Sequence, residues 1–338
     1  MPNASSQREV SPWPHRWAVA LVCATFPLVW VGGLVTTTQA GMAVPDWPST
    51  YGYNLLLYPW TTWLAGPWDL FIEHGHRLLG ATVGMLTIAL LVSLWLSDNR
   101  PWMHWIGLAA LALVIFQGVL GGMRVQFDER TLAMVHGCTG PLFLALATAL
   151  WVFTSHRWRS ETLPSCNDHS VGLHRLTVIT CLLAYLQIVL GAVLRHVPIV
   201  TEPLTFAVAV KAHLIVAALL TIHVGLVVVA VFRRFSHIRL LQSTVVILAI
   251  LLTAQITLGV ATWLAKYSVP YWAARWISLN RQAIQDGGWS QTHIVTAHVA
   301  VGSLILITSL VLALYSFRLL AAPQAAQRLQ RRSLGVAL

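Results

Sequence analysis

Polar residues along this chain are sparse and clustered, and between the clusters run apolar stretches of about 20 residues, each long enough to cross a hydrocarbon core of about 30 Å. The stretches fall at 17–38, 72–96, 103–124, 132–154, 171–195, 209–232, 240–265 and 295–320. None alternates with the period of two that marks a membrane β-barrel strand. A lipid-exposed backbone must satisfy its own hydrogen bonds, so the pattern predicts helices. The expected fold class is an all-α integral membrane protein with eight transmembrane helices.

The pattern also repeats. The third, fifth and seventh spans each carry Gln-x-x-Leu-Gly, at Gln117–Gly121, Gln187–Gly191 and Gln255–Gly259, and the first span has a looser counterpart at Gly32 and Gly33. Small residues of this kind let helix backbones approach closely in lipid. Each odd span is followed by an even span with a histidine in its opening turns: His76, His136, His213 and His298. The repeat predicts two pseudo-repeated four-helix bundles, residues 17–154 and 171–320, joined by a cytoplasmic linker at 155–170. An N-terminal cytoplasmic segment, 1–16, and a basic cytoplasmic tail, 321–338, flank them. The segment before Trp17 shows no small-residue cleavage site, so the first span is read as retained.

Composition agrees: 57% of the 338 residues are hydrophobic and 9% charged, against about 25% charged in a typical soluble domain. The net charge of +10 could suggest nucleic acid. Here, however, Lys and Arg lie mostly in short loops between apolar spans, which is a topology signal, and no nucleic-acid partner is expected. One side of the membrane takes thirteen of the 21 basic residues, among them Arg100, Arg157, Arg233 and Arg331, and the other takes eight. The excess predicts a multi-pass protein of the cell (inner, cytoplasmic) membrane with both termini in the cytoplasm. The segment from Gln39 to Asp69 carries no Lys or Arg and is expected to face outward. Cys23, Cys138, Cys166 and Cys181 form no CxxC pair and no zinc spacing.

With this topology the four histidines lie at similar depth near the outward ends of their helices. The two even helices of a four-helix unit run in the same direction, so a pair on them can face across the bundle core. This gives His76 with His136 and His213 with His298, each pair able to ligate one haem iron, or another large His-ligated cofactor, on opposite faces. Zinc fits less well, for lack of supporting Cys or carboxylate ligands. A carboxyl, Glu73, stands three residues before His76 on the same helix face. It is either a proton-transfer group beside the cofactor or a carboxylate capping the second span and paired with Arg77. The corresponding positions before His213 and His298 are Val210 and Val295, so the halves differ where chemistry would be done. The loop from Lys266 to Gln291, with Tyr271, Trp272, Arg275, Trp276 and Arg281, reads as an interfacial amphipathic segment.

The stretches Gly32-Gly33-Leu34-Val35-Thr36, Gly41-Met42-Ala43-Val44-Pro45-Asp46-Trp47-Pro48 and Glu73-His74-Gly75-His76-Arg77 resemble the haem A synthase family. The resemblance implies an oxidoreductase that converts the C8 methyl of haem O to a formyl group in two oxidations, making haem A for cytochrome oxidase. It implies a b-type haem on His213 and His298, substrate haem O on His76 and His136, and Glu73 as the essential glutamate. Arg77, Arg124 and Arg195 are candidate propionate contacts. A haem O-making enzyme and an electron-transfer protein are expected partners, with the lipid bilayer as surroundings and homo-oligomerisation open. Two departures stand out. Many bacterial members carry a cysteine pair in the first outward loop, and this chain has no Cys between Cys23 and Cys138. Thr36, Thr37 and Thr38 stand where the family often has Arg. The competing expectations are a di-haem b-type electron-transfer protein and a haem exporter, neither of which needs a reactive carboxyl at Glu73.

Overall fold

A computed structural model describes residues 11–160, 169–197, 202–267 and 288–320. Eight helices are long and apolar enough to cross a membrane. They are α1 (Trp13–Thr37), α2 (Trp68–Ser97), α3 (Pro101–Phe127), α4 (Arg130–Thr154), α5 (His169–His196), α6 (Pro203–Arg234), α7 (Arg239–Tyr267) and α8 (Trp289–Leu319). No strand occurs among the described residues. Each predicted span is recovered. Several helices start earlier than their apolar core, because polar first turns such as Trp68-Asp69 and Trp289-Ser290-Gln291 satisfy helical geometry without being hydrophobic. Prolines at the first helical positions of α3 and α6 fit, since the amide they lack has no intrahelical partner there. The linker's residues 161–168, most of the interfacial loop after Lys266 and the basic tail lie outside the described residues.

The helices pack as two rings of four. α1 touches α2 and α4, and α3 touches α2 and α4; α5 touches α6 and α8, and α7 touches α6 and α8. The even helices are therefore diagonal partners within each ring. The rings meet where α1, α4, α5 and α8 touch one another. Leu21, Val83, Leu90, Leu94, Met103, Phe143 and Leu150 fill the lower end of the first ring. Val224, Val227, Leu241, Leu248, Leu306 and Leu312 do the same in the second. Large apolar side chains such as Leu96, Trp105, Ile115, Leu182, Leu214 and Ile250 point outward, where water would penalise them and lipid would not.

The lower end also carries a charge cluster. Asp98, just past α2, accepts from Arg100 and from Arg159, each at 2.7 Å, and is 4% exposed. Burial alone would raise its pKa, but the hydrogen bonds and charge of Arg100, with the charge of Arg159, hold it below the usual carboxylate range. A depressed folded pKa gives stability that is full above the unfolded value, about 4, and is lost as pH falls through the folded value. Asp98→Asn should lower the melting temperature in detergent at pH 7, and the gap to the parent should close below about pH 4. An unchanged melting curve at pH 7 would dismiss the cluster as a stabilising feature.

Candidate haem sites

The upper ends of both rings are built from histidine on glycine. His76 on α2 sits against Gly32 of α1, where a Cβ would come within 2.9 Å of the ring. His136 packs on Gly121, His213 on Gly191 and His298 on Gly259, with a Cβ at 3.4, 3.4 and 3.2 Å. The glycine of each Gln-x-x-Leu-Gly motif thus makes room for the imidazole of the next helix. A Cβ at Gly32 would force the His76 ring to shift and one at Gly259 would crowd His298, whereas at Gly121 and Gly191 it would reach ordinary contact.

Across each ring the imidazoles face one another. The His76 and His136 centroids are 6.3 Å apart, and those of His213 and His298 are 6.5 Å apart. A histidine nitrogen bonds a metal at about 2 Å, and the imidazole centroid lies about 1 Å behind that nitrogen, so two rings on opposite faces of one iron stand roughly 6 Å apart. The residues fit a bis-histidine haem in both rings. Nδ1 of all four is buried without a hydrogen bond. Among the described residues no group of three or more His, Cys, Asp or Glu side chains comes together to hold a bare metal ion. Two nitrogens do not complete an iron's coordination, whereas a porphyrin brings the other four.

Among the described residues, only the first ring has a carboxylate and a cover. Glu73 is 3% exposed. Its Oε2 accepts from Val44 N–H at 2.9 Å and its Oε1 from Arg77 at 2.7 Å. Arg77 also donates to the carbonyls of Val44, Asp46 and Ser49. Together they clamp the segment 43–49 onto α2. The expected pairing of Glu73 with Arg77 is present, but Glu73 does not cap the helix: α2 starts at Trp68, and the carboxylate lies in its second turn. The segment is held elsewhere as well. Buried His74 bonds Thr50 Oγ1, and Trp47 lies on Gly122 of α3. Asp46 ties the turn by accepting from Ser49, Tyr51 N–H and Gly52 N–H. Burial would raise the Asp46 pKa, yet these hydrogen bonds hold it below its usual value. Gly52, at φ +79°, supplies a left-handed position that few other residues adopt.

The three candidate arginines differ. Arg77 spends four of its five N–H donors on the loop and Glu73. Arg195 on α5 crosses to α1, where it donates to Gly33 O and Thr37 Oγ1. Thr37 Oγ1 also meets Thr296 of α8. Arg124 lies against Gly41 and makes no hydrogen bond among the described residues, with Glu73 and Asp128 as its acidic neighbours.

Sequence reasoning missed His74, which serves as a loop anchor, and the partners of the glutamines. Gln187 bonds His213 Nε2 at 3.0 Å, Gln117 bonds Thr139, and Gln255 packs on Gly302. Among the described residues His223 bonds its own helix, at Leu219 O.

A sequence model of the family described as "Cytochrome oxidase assembly protein" matches residues 67–202, from the start of α2 to the end of α5. The chain is 24% identical over 248 residues to a heme A synthase of Alkalihalophilus pseudofirmus, covering 68% of this chain and 80% of that protein. It is 27% identical over 170 residues to one of Shouchella clausii, covering 49% and 53%. A Cereibacter sphaeroides heme A synthase is 26% identical over 212 residues, or 54% of each chain. The chain is thus similar to heme A synthases over about two thirds of its length, and it matches the cytochrome oxidase assembly family from α2 to α5. Within the family match lie Glu73, His76, His136, Arg77, Arg124 and Arg195; His213 and His298 lie beyond it.

Proposed function

We propose that this chain is a haem A synthase, oxidising the C8 methyl of haem O to a formyl group in two steps for cytochrome oxidase. The observation that carries the reading is an asymmetry. Two histidine pairs have nearly equal spacing, and among the described residues a buried carboxylate under a clamped loop stands beside one of them only. In this reading residues 17–154 form the substrate half and 171–320 the cofactor half. His76 and His136 hold the iron of haem O, and His213 and His298 hold a b-type haem. When bound, the haem supplies one-electron redox chemistry.

The chain's own residues orient and protect the substrate. The two imidazoles fix the porphyrin between α2 and α4. The loop 43–50, clamped by Glu73, Arg77 and His74, closes the upper side and keeps water from the methyl edge. Arg124, with an uncommitted guanidinium, is the best placed of the three arginines to meet a propionate. Arg195 ties the halves together at Gly33 and Thr37, and Arg77 belongs to the clamp. With water as the oxygen donor, each oxidation converts a C–H bond to C–OH and releases two electrons and two protons, and the second yields a hydrate that loses water to leave the formyl group. In that loss Glu73 is suited to take the proton from one hydroxyl and pass it to the other, which departs as water. An electron-transfer protein takes up the electrons, and a haem O-making enzyme delivers a substrate that would otherwise partition into lipid. The basic excess on one side supports a topology with both termini in the cytoplasm and the haem sites toward the outer face of the cell membrane.

The test is haem extraction from protein co-expressed with a haem O-making enzyme, read by chromatography and mass. Haem A or hydroxylated haem O beside haem B is the expected result. Haem B alone, at two per chain and with no oxidised haem O in the membranes, would replace the reading with a di-haem electron carrier.

A further inference from the structure

Of the features the reaction leaves unused, the polar pair Gln117 and Thr139 separates the two halves most clearly. Gln117 on α3 donates through its amide to Thr139 Oγ1 on α4, one turn below His136. The Thr139 hydroxyl gives its own proton to Val135 O at 2.8 Å, so toward Gln117 it can only accept. That fixes the amide with its N–H on Thr139 and leaves Oε1 as an acceptor with no hydrogen bond among the described residues. In the second half Gln255 occupies the same place beside His298 and packs on Gly302, as Gln117 packs near Gly140. The residue matching Thr139 is Val301, and Gln255 Oε1 is buried without a partner. At this position one half orients its amide with a hydroxyl and the other does not, although Gln187 of the second half is held by His213 instead.

The position along the helix gives this a meaning. Arg124, Gly121 and Gln117 share one face of α3, and Gly121 carries the His136 ring between them. Seven residues of helix separate Arg124 from Gln117, about 10 Å, comparable to the width of a porphyrin. If propionates meet Arg124, the opposite edge of the ring lies at Gln117. Haem O carries its hydroxylated isoprenoid chain on that opposite edge, where haem B has a vinyl group.

We propose that Gln117 is a specificity-determining residue whose Oε1 accepts the side-chain hydroxyl of haem O, with Thr139 as the positioning residue that aims the amide. The inference rests on the assignment of His76 and His136 to the substrate haem. At the matching position the second half, with Val301, has no hydroxyl to aim Gln255, and it takes a haem without the side-chain hydroxyl.

The experiment titrates the full-length protein, its second pair already loaded with haem B, with haem O and separately with further haem B, followed by difference absorbance. Gln117→Leu should lower the haem O to haem B affinity ratio by about tenfold. Thr139→Val, which copies Val301 at nearly equal volume, should lower it less and guards against a folding failure of the first variant. Gln117→Glu, which keeps an acceptor, should retain the preference. An unchanged ratio in Gln117→Leu, or an equal fall for both haems, overturns the proposal, because a merely structural role cannot distinguish the two ligands. His76→Ala is run alongside. If it still binds haem O, the substrate-site assignment itself fails, and the specificity proposal falls with it.

Discussion

Replacing His213 or His298 by alanine is expected to strip the purified protein of at least about nine-tenths of its haem B, while His76→Ala and His136→Ala keep it and lose haem O capture. The two rings offer nearly the same centroid spacing, 6.3 and 6.5 Å, so under the proposed assignment each histidine would supply one of the two protein bonds to a haem iron. Even loss of a group that merely supports a metal ligand commonly costs about 10–100-fold in affinity, and loss of the ligand itself should cost no less. No third histidine, cysteine or carboxylate completes either pair among the described residues, so no spare donor is at hand to rescue the site. The measurement is haem B per chain together with the spin state of the iron. Full haem B content and an unchanged low-spin spectrum in His213→Ala would remove the second pair from the haem-binding assignment.

Glu73→Gln should leave haem B content unchanged and lower haem A formation by about 100-fold or more, the range that a lost proton-transfer group commands. Gln preserves the shape and an acceptor for Val44 N–H, but it removes the charge that meets Arg77 at 2.7 Å. Because Glu73 also clamps the loop, a second variant separates the two roles. Arg77→Met frees the carbonyls of Val44, Asp46 and Ser49 from their donor while keeping the carboxylate. If Glu73 acted only as a clamp, both variants would lose product alike and haem O would exchange faster in each. If it moves a proton, Glu73→Gln is the more damaged and Glu73→Asp shifts the pH profile. Normal haem A formation in Glu73→Gln would end the proton-transfer assignment.

Much of this was legible along the chain. Apolar stretches of about 20 residues have few alternatives to spanning helices once the backbone must bond itself. The recurrence of histidine on every even helix marked the four imidazoles, because helices two apart in an antiparallel bundle place equivalent residues at one level. Glu73 and Arg77 were visible as a pair because four residues make them neighbours on one helix face.

What the sequence alone determined was therefore periodic or local: eight spans, the level of the histidines, and the carboxylate that makes one half unlike the other. The tertiary structure decided the partners. Three identical Gln-x-x-Leu-Gly motifs meet three different neighbours, Thr139, His213 and Gly302, because the residue opposite each glutamine comes from another helix. Glu73 and Arg77 hold the outward segment through the backbone of Val44, Asp46 and Ser49, and main-chain groups leave no signature in side-chain order. A motif fixes which side chain is offered and at what depth; packing between distant helices fixes what it touches.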